Sequence, residues 1–204
     1  MQPLEATYWI WDAWAASWVL AALWSSRAAV RAPVWSEAWR DALAMAGGIT
    51  LVGLSSPAII REPGPLGALH ARLLTPLWSA SAPVGWGLVA MTIAGFAFCW
   101  WARLHLGRLW SSLVGRKAEH RIVDTGPYAV VRHPIYTGLI TVVLAMAILK
   151  GTAAALIGAT LIVASLWLKA RLEERFLRVE LGSESYDAYR HRTPMLLPGL
   201  RAPL

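Results

Sequence analysis

Five apolar stretches, each near the length a helix needs to cross a bilayer, dominate this sequence and exclude most other architectures. A span takes about 20 residues, because each adds about 1.5 Å against a hydrocarbon core of about 30 Å. The stretches run from about Tyr8 to Ala29, Ala42 to Ile60, Val84 to Ala102, Pro134 to Leu149 and Thr152 to Leu168. The fourth is short, so it is expected to pair with the fifth as a hairpin about Lys150-Gly151. The expected fold is an all-α integral membrane protein of about five transmembrane helices with a C-terminal helical hairpin.

Composition agrees. Of 204 residues 57% are hydrophobic and 15% charged, against roughly a quarter charged in soluble domains. The formal charge of +7 does not point to nucleic acid, because the basic residues form no single run and instead flank the apolar stretches. Arg27, Arg31 and Arg40 lie between stretches one and two, and Arg103, Arg108, Arg116, Lys117, Arg121 and Arg132 between three and four. Lys169, Arg171, Arg175, Arg178, Arg190, Arg192 and Arg201 follow the fifth, while only Arg61, Arg72 and Lys150 fall on the other side. That bias predicts an outside N-terminus and a cytoplasmic C-terminus. The Ala-, Arg- and Trp-rich composition fits a bacterial cytoplasmic membrane.

The first stretch lacks a basic leader and is rich in Trp, so it reads as a span and not a signal peptide. Trp9, Trp11, Trp14, Trp18 and Trp24 are expected as interfacial anchors and lipid-facing bulk, with Asp12 at the outer interface. Gly151, Ala155 and Ala159 share a helical face that would let two backbones approach closely. The stretch from Arg61 to Pro83, rich in Pro, Gly and Ser, reads as a loop. Cys99 is alone, so neither an intrachain disulfide nor a thiolate metal cluster is available, and no metal site is expected.

Two segments concentrate polar chemistry beside apolar helices. The first runs from Glu119 through Gly138 and holds a Gly126-Pro127 turn signal. Pro134 suits the first position of a helix, where its missing N–H costs nothing. That helix start, with Arg132 and His133 beside it, reads as an anion site. The second, Lys169 to Phe176, continues the fifth stretch, and Glu173 shares a helical face with Lys169 four residues earlier. Such a pair alone is most often a surface ion-pair ladder of little worth. Together the two segments offer carboxylates for an ammonium or a diol and N–H groups, Arg or His for a carboxylate. Tyr128, Tyr136 and Trp110 add aromatic faces for a cation or a base. S-Adenosyl-L-methionine is a ligand with those needs.

From about Leu106 to Pro198 the sequence resembles the isoprenylcysteine carboxyl methyltransferases and the related phospholipid methyltransferases. The resemblance rests on Leu106-Gly107 with Trp110, His120-Arg121-Ile122-Val123 and Gly126-Pro127-Tyr128. It continues in Arg132-His133-Pro134-Ile135-Tyr136 with Gly138, Glu173-Glu174, Leu181-Gly182, Tyr186, Tyr189 and Pro198. It implies one membrane methyltransferase domain over residues 1–204, with three N-terminal spans in 1–102 and a cofactor-binding half in 103–204. It implies S-adenosyl-L-methionine contacts at His120, Arg121, Ile122, Val123, Tyr128, His133, Pro134, Ile135, Tyr136 and Glu173. Helix phase with Lys169 favours Glu173 over Glu174. Lys169 stands where the family has an arginine facing the substrate, with Arg171 nearby, and these two are the expected substrate-binding residues. Leu113 replaces a family glutamine.

The implied reaction is methyl transfer to a lipophilic or prenylated acceptor reaching the site from the bilayer, most like carboxyl O-methylation of an isoprenylcysteine. A phospholipid amine or a small hydrophobic thiol suits the same architecture. A carboxylate or thiolate acceptor needs no general base, so no catalytic residue is assigned. Two other classes compete: an NADPH-dependent membrane reductase of the sterol reductase type, for which no Rossmann glycine fingerprint is present, and a non-catalytic membrane scaffold. Cofactor titration separates all three.

Overall fold

The computed structural model of the protein describes residues 1–22, 30–31, 35–51, 64–107, 115–116, 122–180 and 182–200. These form eight helices: α1 (Pro3–Ala22), α2 (Trp35–Leu51), α3 (Pro65–Leu74), α4 (Ala82–Leu106), α5 (Pro127–Val130), α6 (Pro134–Lys150), α7 (Ala153–Glu180) and α8 (Ser183–Arg192). A two-residue antiparallel pair joins β1 (Val30–Arg31) to β2 (Gly115–Arg116), with Val30 opposite Arg116.

Two of the described helices, α4 and α7, are long and apolar enough to cross a membrane, and α6 is apolar but has only 17 residues. Of the other two expected spans, residues 8–22 lie in α1 and 42–51 in α2, neither of which meets both criteria among the described residues, and 23–29 and 52–60 lie outside the described residues. The hairpin is present: α6 ends at Gly151, whose left-handed φ of +62° caps the helix, and α7 begins two residues later. It then runs without a break through Lys169 and Glu173 to Glu180.

The stretch from Arg61 to Pro83 is not simply a loop. Its residues 65–74 form α3, started by Pro65 at the first helical position after Gly64. The Pro and Gly that mark a turn here initiate a helix, because the following Leu-Gly-Ala-Leu-His-Ala-Arg-Leu-Leu is mostly good helix former. Beyond α3 the chain seals the hairpin tip. The Leu77 N–H donates to the Gly151 carbonyl at 2.7 Å, and Trp78 Nε1 donates to the Ile148 carbonyl at 2.9 Å.

The packed faces are built from small residues. A Cβ on Gly138 of α6 would lie 2.5 Å from both Cys99 Sγ and the Gly95 carbonyl of α4, and one on Gly95 would lie 2.9 Å from the Gly138 carbonyl. The two backbones therefore meet glycine to glycine. On the other side, a Cβ on Gly47 of α2 would come within 2.8 Å of the Gly158 carbonyl of α7. Ala155 and Ala159 are buried against Val143, Met146 and Ala147, so the small-residue face of α7 does pack. Large apolar side chains point the other way: Trp86, Ile93, Trp101 and Leu104 of α4 and Ile157 and Trp167 of α7 are exposed. Small residues inside and bulky apolar ones outside is the arrangement of helices whose solvent is lipid.

The tryptophans of α1 are not mainly anchors. Trp9 is exposed, but the Trp14 ring stacks on Phe96 at 4.5 Å and Trp11 meets Phe96 edge-on at 5.2 Å. Trp18 meets Trp100 at 5.5 Å, so this aromatic ladder glues α1 to α4. Buried Arg103 donates to the Ala21 carbonyl at the end of α1, a favourable place for a cation. Asp12 is exposed, and Trp24 lies outside the described residues.

The glycine contact predicts that Gly138→Ala forces α4 and α6 apart and costs about 1–3 kcal/mol, typical of overpacking. Gly87→Ala on α4, where a Cβ meets nothing within 4 Å, is expected to be neutral or stabilising by up to about 1 kcal/mol. Thermal unfolding of both variants in detergent checks the contrast, and equal behaviour would refute it.

Candidate functional site

The polar segments converge where α6 begins and α7 leaves its apolar stretch. Gly126, at φ +57°, turns the chain into α5 with Pro127 in its first turn. A Cβ there would lie 2.7 Å from the His105 ring at the end of α4, so the turn lies flat on that imidazole. His105 Nε2 is 2.9 Å from Thr125 Oγ1, and its ring stacks with Tyr128 at 6.3 Å. Tyr128 is buried, and its phenol is pushed up, chiefly by burial and then by the Glu173 charge. Nothing in the sequence signals His105, because it ends an apolar span with no motif around it.

After α5 the chain is extended and pairs with the C-terminal tail. The Arg132 N–H donates to the Pro194 carbonyl at 2.8 Å and the His133 N–H to the Met195 carbonyl at 3.1 Å. Thr137 Oγ1 donates to the Leu196 carbonyl at 2.7 Å, and Tyr189 of α8 donates to the Tyr128 carbonyl at 2.7 Å. Pro134 then starts α6 with His133 as the residue before it.

Four charged side chains meet at this helix start. Arg132 Nε donates to Glu174 Oε1 at 2.7 Å, and its Nη1 donates to the carbonyls of Arg190 and Thr193. His133 stands between two carboxylates, with Nδ1 3.4 Å from Glu173 Oε2 and Nε2 3.3 Å from Glu174 Oε1. The Tyr136 hydroxyl donates to Glu173 Oε1 at 2.6 Å, and its ring lies parallel to that of His133 at 5.4 Å. Lys169 Nζ sits 5.7 Å from the centre of the Tyr136 ring.

These neighbours set the charges. Burial opposes an imidazolium at His133, but hydrogen bonds and charge from Glu173 and Glu174 outweigh it and hold its pKa above the ordinary value. Burial pushes the Glu173 carboxyl up, and His133, Lys169 and Tyr136 together outweigh burial and hold it below the ordinary range. For Glu174 burial likewise acts upward, and His133 and Arg132 reverse it. Both ring nitrogens of His133 thus face acceptors, which only the doubly protonated ring satisfies.

The anion expected at the α6 start is therefore supplied by the protein itself, as two carboxylates from α7. Arg132 is consumed in holding Glu174 and the tail. The carboxylates are not equivalent: the Glu174 side chain is 11% exposed and locked by Arg132, while that of Glu173 is 21% exposed. Glu173 is thus the more exposed of the two, while Glu174 faces the groove between α6, α7 and α8.

Of the site residues expected from the sequence, His133, Tyr136, Glu173 and Lys169 form one cluster, with Tyr128 buried close by. Pro134 is buried as the helix start, and Ile135 is half-buried with its carbonyl accepting from the Cys99 thiol at 3.3 Å. Ile122 and Val123 are half-buried ahead of the Gly126 turn. His120, Arg121, Trp110 and Leu113 lie outside the described residues. Arg171 does not join the cluster; its guanidinium stacks over Trp167 at 5.0 Å, on another side of α7. Two residues along a helix is a turn of about 200°, which separates Arg171 from both Lys169 and Glu173. Among the described residues, no group of His, Cys, Asp and Glu could hold a metal ion.

Residues 88–179 match the family described as Isoprenylcysteine carboxyl methyltransferase (ICMT). The match covers less than half of the chain. It starts within α4, earlier than the motif at Leu106, and stops in α7 before Gly182, Tyr186 and Tyr189. None of the curated proteins matches.

The charge pattern predicts a two-sided pH profile of stability. The depressed carboxylates contribute above their ordinary range, about pH 4.3, and lose that contribution as pH falls through their lowered values. His133 contributes fully below about pH 6.5 and loses its contribution as pH rises through its raised value. Melting temperature against pH should therefore decline on both limbs, and His133→Gln should flatten the alkaline one. An unchanged alkaline limb in that variant would show that His133 is not its source.

Proposed function

We propose that this chain, whose residues 88–179 constitute an Isoprenylcysteine carboxyl methyltransferase (ICMT) family domain, transfers a methyl group from S-adenosyl-L-methionine to a lipophilic acceptor at the membrane, most like carboxyl O-methylation of an isoprenylcysteine. The observation that carries the reading is the largely buried Glu173 carboxylate, held by His133 and Tyr136 beside an aromatic face already facing a cation. The donor set fits the cofactor: an anionic oxygen for its ammonium or ribose diol, and a ring face for its positive charge.

S-Adenosyl-L-methionine, when bound, supplies a methyl group already activated on a sulfonium. The chain's residues do the rest. His133 fixes the Glu173 carboxylate through one nitrogen and Glu174 through the other. Tyr136 orients Glu173 and presents its ring. Lys169 shares that face and is the residue placed to orient an anionic acceptor. A lysine offers a point charge in place of an arginine fork. Holding the two reactants in line and excluding water is the protein's main contribution. His120 through Val123, Tyr128, Pro134 and Ile135 complete the proposed cofactor contacts.

The same reading places the chain in the membrane as a five-span protein, N-terminus outside and C-terminus cytoplasmic. The acceptor then arrives sideways from the lipid.

Calorimetry of S-adenosyl-L-methionine and its demethylated product on detergent-purified protein tests the proposal. Wild type is expected to bind saturably. Glu173→Gln should weaken binding by roughly ten- to hundred-fold, the worth of a charged hydrogen bond, with a modest fall in melting temperature as the contribution of its lowered pKa is lost. Glu174→Ala should instead cost about 3 kcal/mol of stability, the low end for breaking a buried pair, since Arg132 keeps two carbonyl partners. Wild-type affinity in Glu173→Gln would remove this site from consideration. Binding of NADPH in place of the methyl donor would turn the assignment to a reductase.

A further inference from the structure

On the side of α7 away from Lys169 and Glu173 lies a second feature, a cavity of about 1100 Å³ between α6, α7, α8 and the tail. Its α7 wall follows a stripe of residues three or four apart, Leu156, Thr160, Val163, Trp167, then Arg171, Arg175 and Arg178, flanked by Ala159, Ala164 and Glu174. The stripe is largely apolar up to Trp167 and basic beyond it. From Leu156 to Trp167 it rises about 17 Å at 1.5 Å per residue, close to the depth of one leaflet of a core about 30 Å thick. Ile140 and Leu144 of α6 complete the apolar floor.

The basic end carries five arginines against a single glutamate, Glu174. Glu174 is already neutralised by Arg132, and Arg178 is spent on Asp187 at 2.7 Å. Arg171 lies over the Trp167 ring. The exposed side chains of Arg175 and Arg190 make no ion pair among the described residues. The groove therefore ends in uncompensated positive charge at the depth where a bilayer changes from acyl chain to headgroup.

We propose that this groove binds an anionic phospholipid of the surrounding bilayer, its acyl chain along Leu144, Leu156 and Val163 and its phosphate at Arg171, Arg175 and Arg190. Charge complementarity selects the headgroup, each juxtamembrane arginine favouring an anionic lipid surface, and the apolar stripe selects a chain-bearing ligand over free phosphate. The groove borders the charge cluster through Arg132 and Glu174 but is not lined by Glu173, Tyr136 or Lys169. It rests on the membrane reading of the chain and is independent of the methyl donor.

The test reconstitutes the full chain into phosphatidylcholine vesicles containing phosphatidylglycerol or phosphatidylcholine with brominated acyl chains, which quench tryptophan on contact. The readout is the part of the quenching that Trp167→Phe removes. Brominated phosphatidylglycerol should produce it at a roughly tenfold lower mole fraction than brominated phosphatidylcholine. Arg175→Gln combined with Arg190→Gln should abolish the preference while the protein still floats with the vesicles. Equal quenching by the two lipids in wild type overturns the proposal alone, whatever the variant does. Failure of wild type to float with either vesicle overturns the membrane reading and this site with it.

Discussion

One buried knot of charge holds the functional end of this protein together. His133 and Arg132 precede α6, Glu173 and Glu174 belong to α7, and the carbonyls of Arg190 and Thr193 belong to α8 and the tail. Each member satisfies another, which is the condition for burying such groups at tolerable cost. The knot fixes how far α7 extends past its apolar stretch, where the tail lies and how Glu173 is presented. It also divides labour between adjacent glutamates. Glu174 is paired with Arg132 on the groove side, while Glu173, a 100° step away on the helix, pairs with His133 and Tyr136.

That knot works only because the helices beneath it approach closely. Gly95 against Gly138 brings α4 to α6, and Gly47 against Gly158 brings α2 to α7. Small residues at such crossings give lipid-embedded helices their contact energy, since burying apolar surface gains little when the solvent is itself apolar. The aromatic ladder of α1 on Phe96 and Trp100 adds a third strap. The result is a rigid base on which the irregular segment 122–133 can sit, with His105 pressed beneath the Gly126 turn.

The two sides of α7 then take different chemistry from one helix. Lys169 and Glu173 face the cluster with Tyr136, whereas Arg171, Arg175 and Arg178 continue the apolar stripe on the far side. Lys169 and Arg171 are paired by the family resemblance as substrate-binding residues, yet helical rotation turns them to different sides of α7. Sequence proximity on a helix is thus a poor guide to shared function unless the phase is counted.

What the sequence determined was the class of fold, the hairpin and the identity of the chemical parts. Apolar length, the Lys150-Gly151 turn and the Arg132-His133-Pro134 motif are local properties, and local properties are written in consecutive residues. Helix phase with Lys169 favours Glu173, which is the more exposed of the pair. Tertiary structure decided the rest. Only packing shows that Arg132 is consumed by Glu174 and two carbonyls, that His105 supports the Tyr128 turn, and that the α1 tryptophans bind α4. Only helix initiation at Pro65 shows that residues 65–74 are helical where turn residues predicted a loop. These contacts join residues as far apart as Trp11 and Phe96, and no local pattern encodes a partner that distant, because its identity depends on which faces the folded helices turn toward one another.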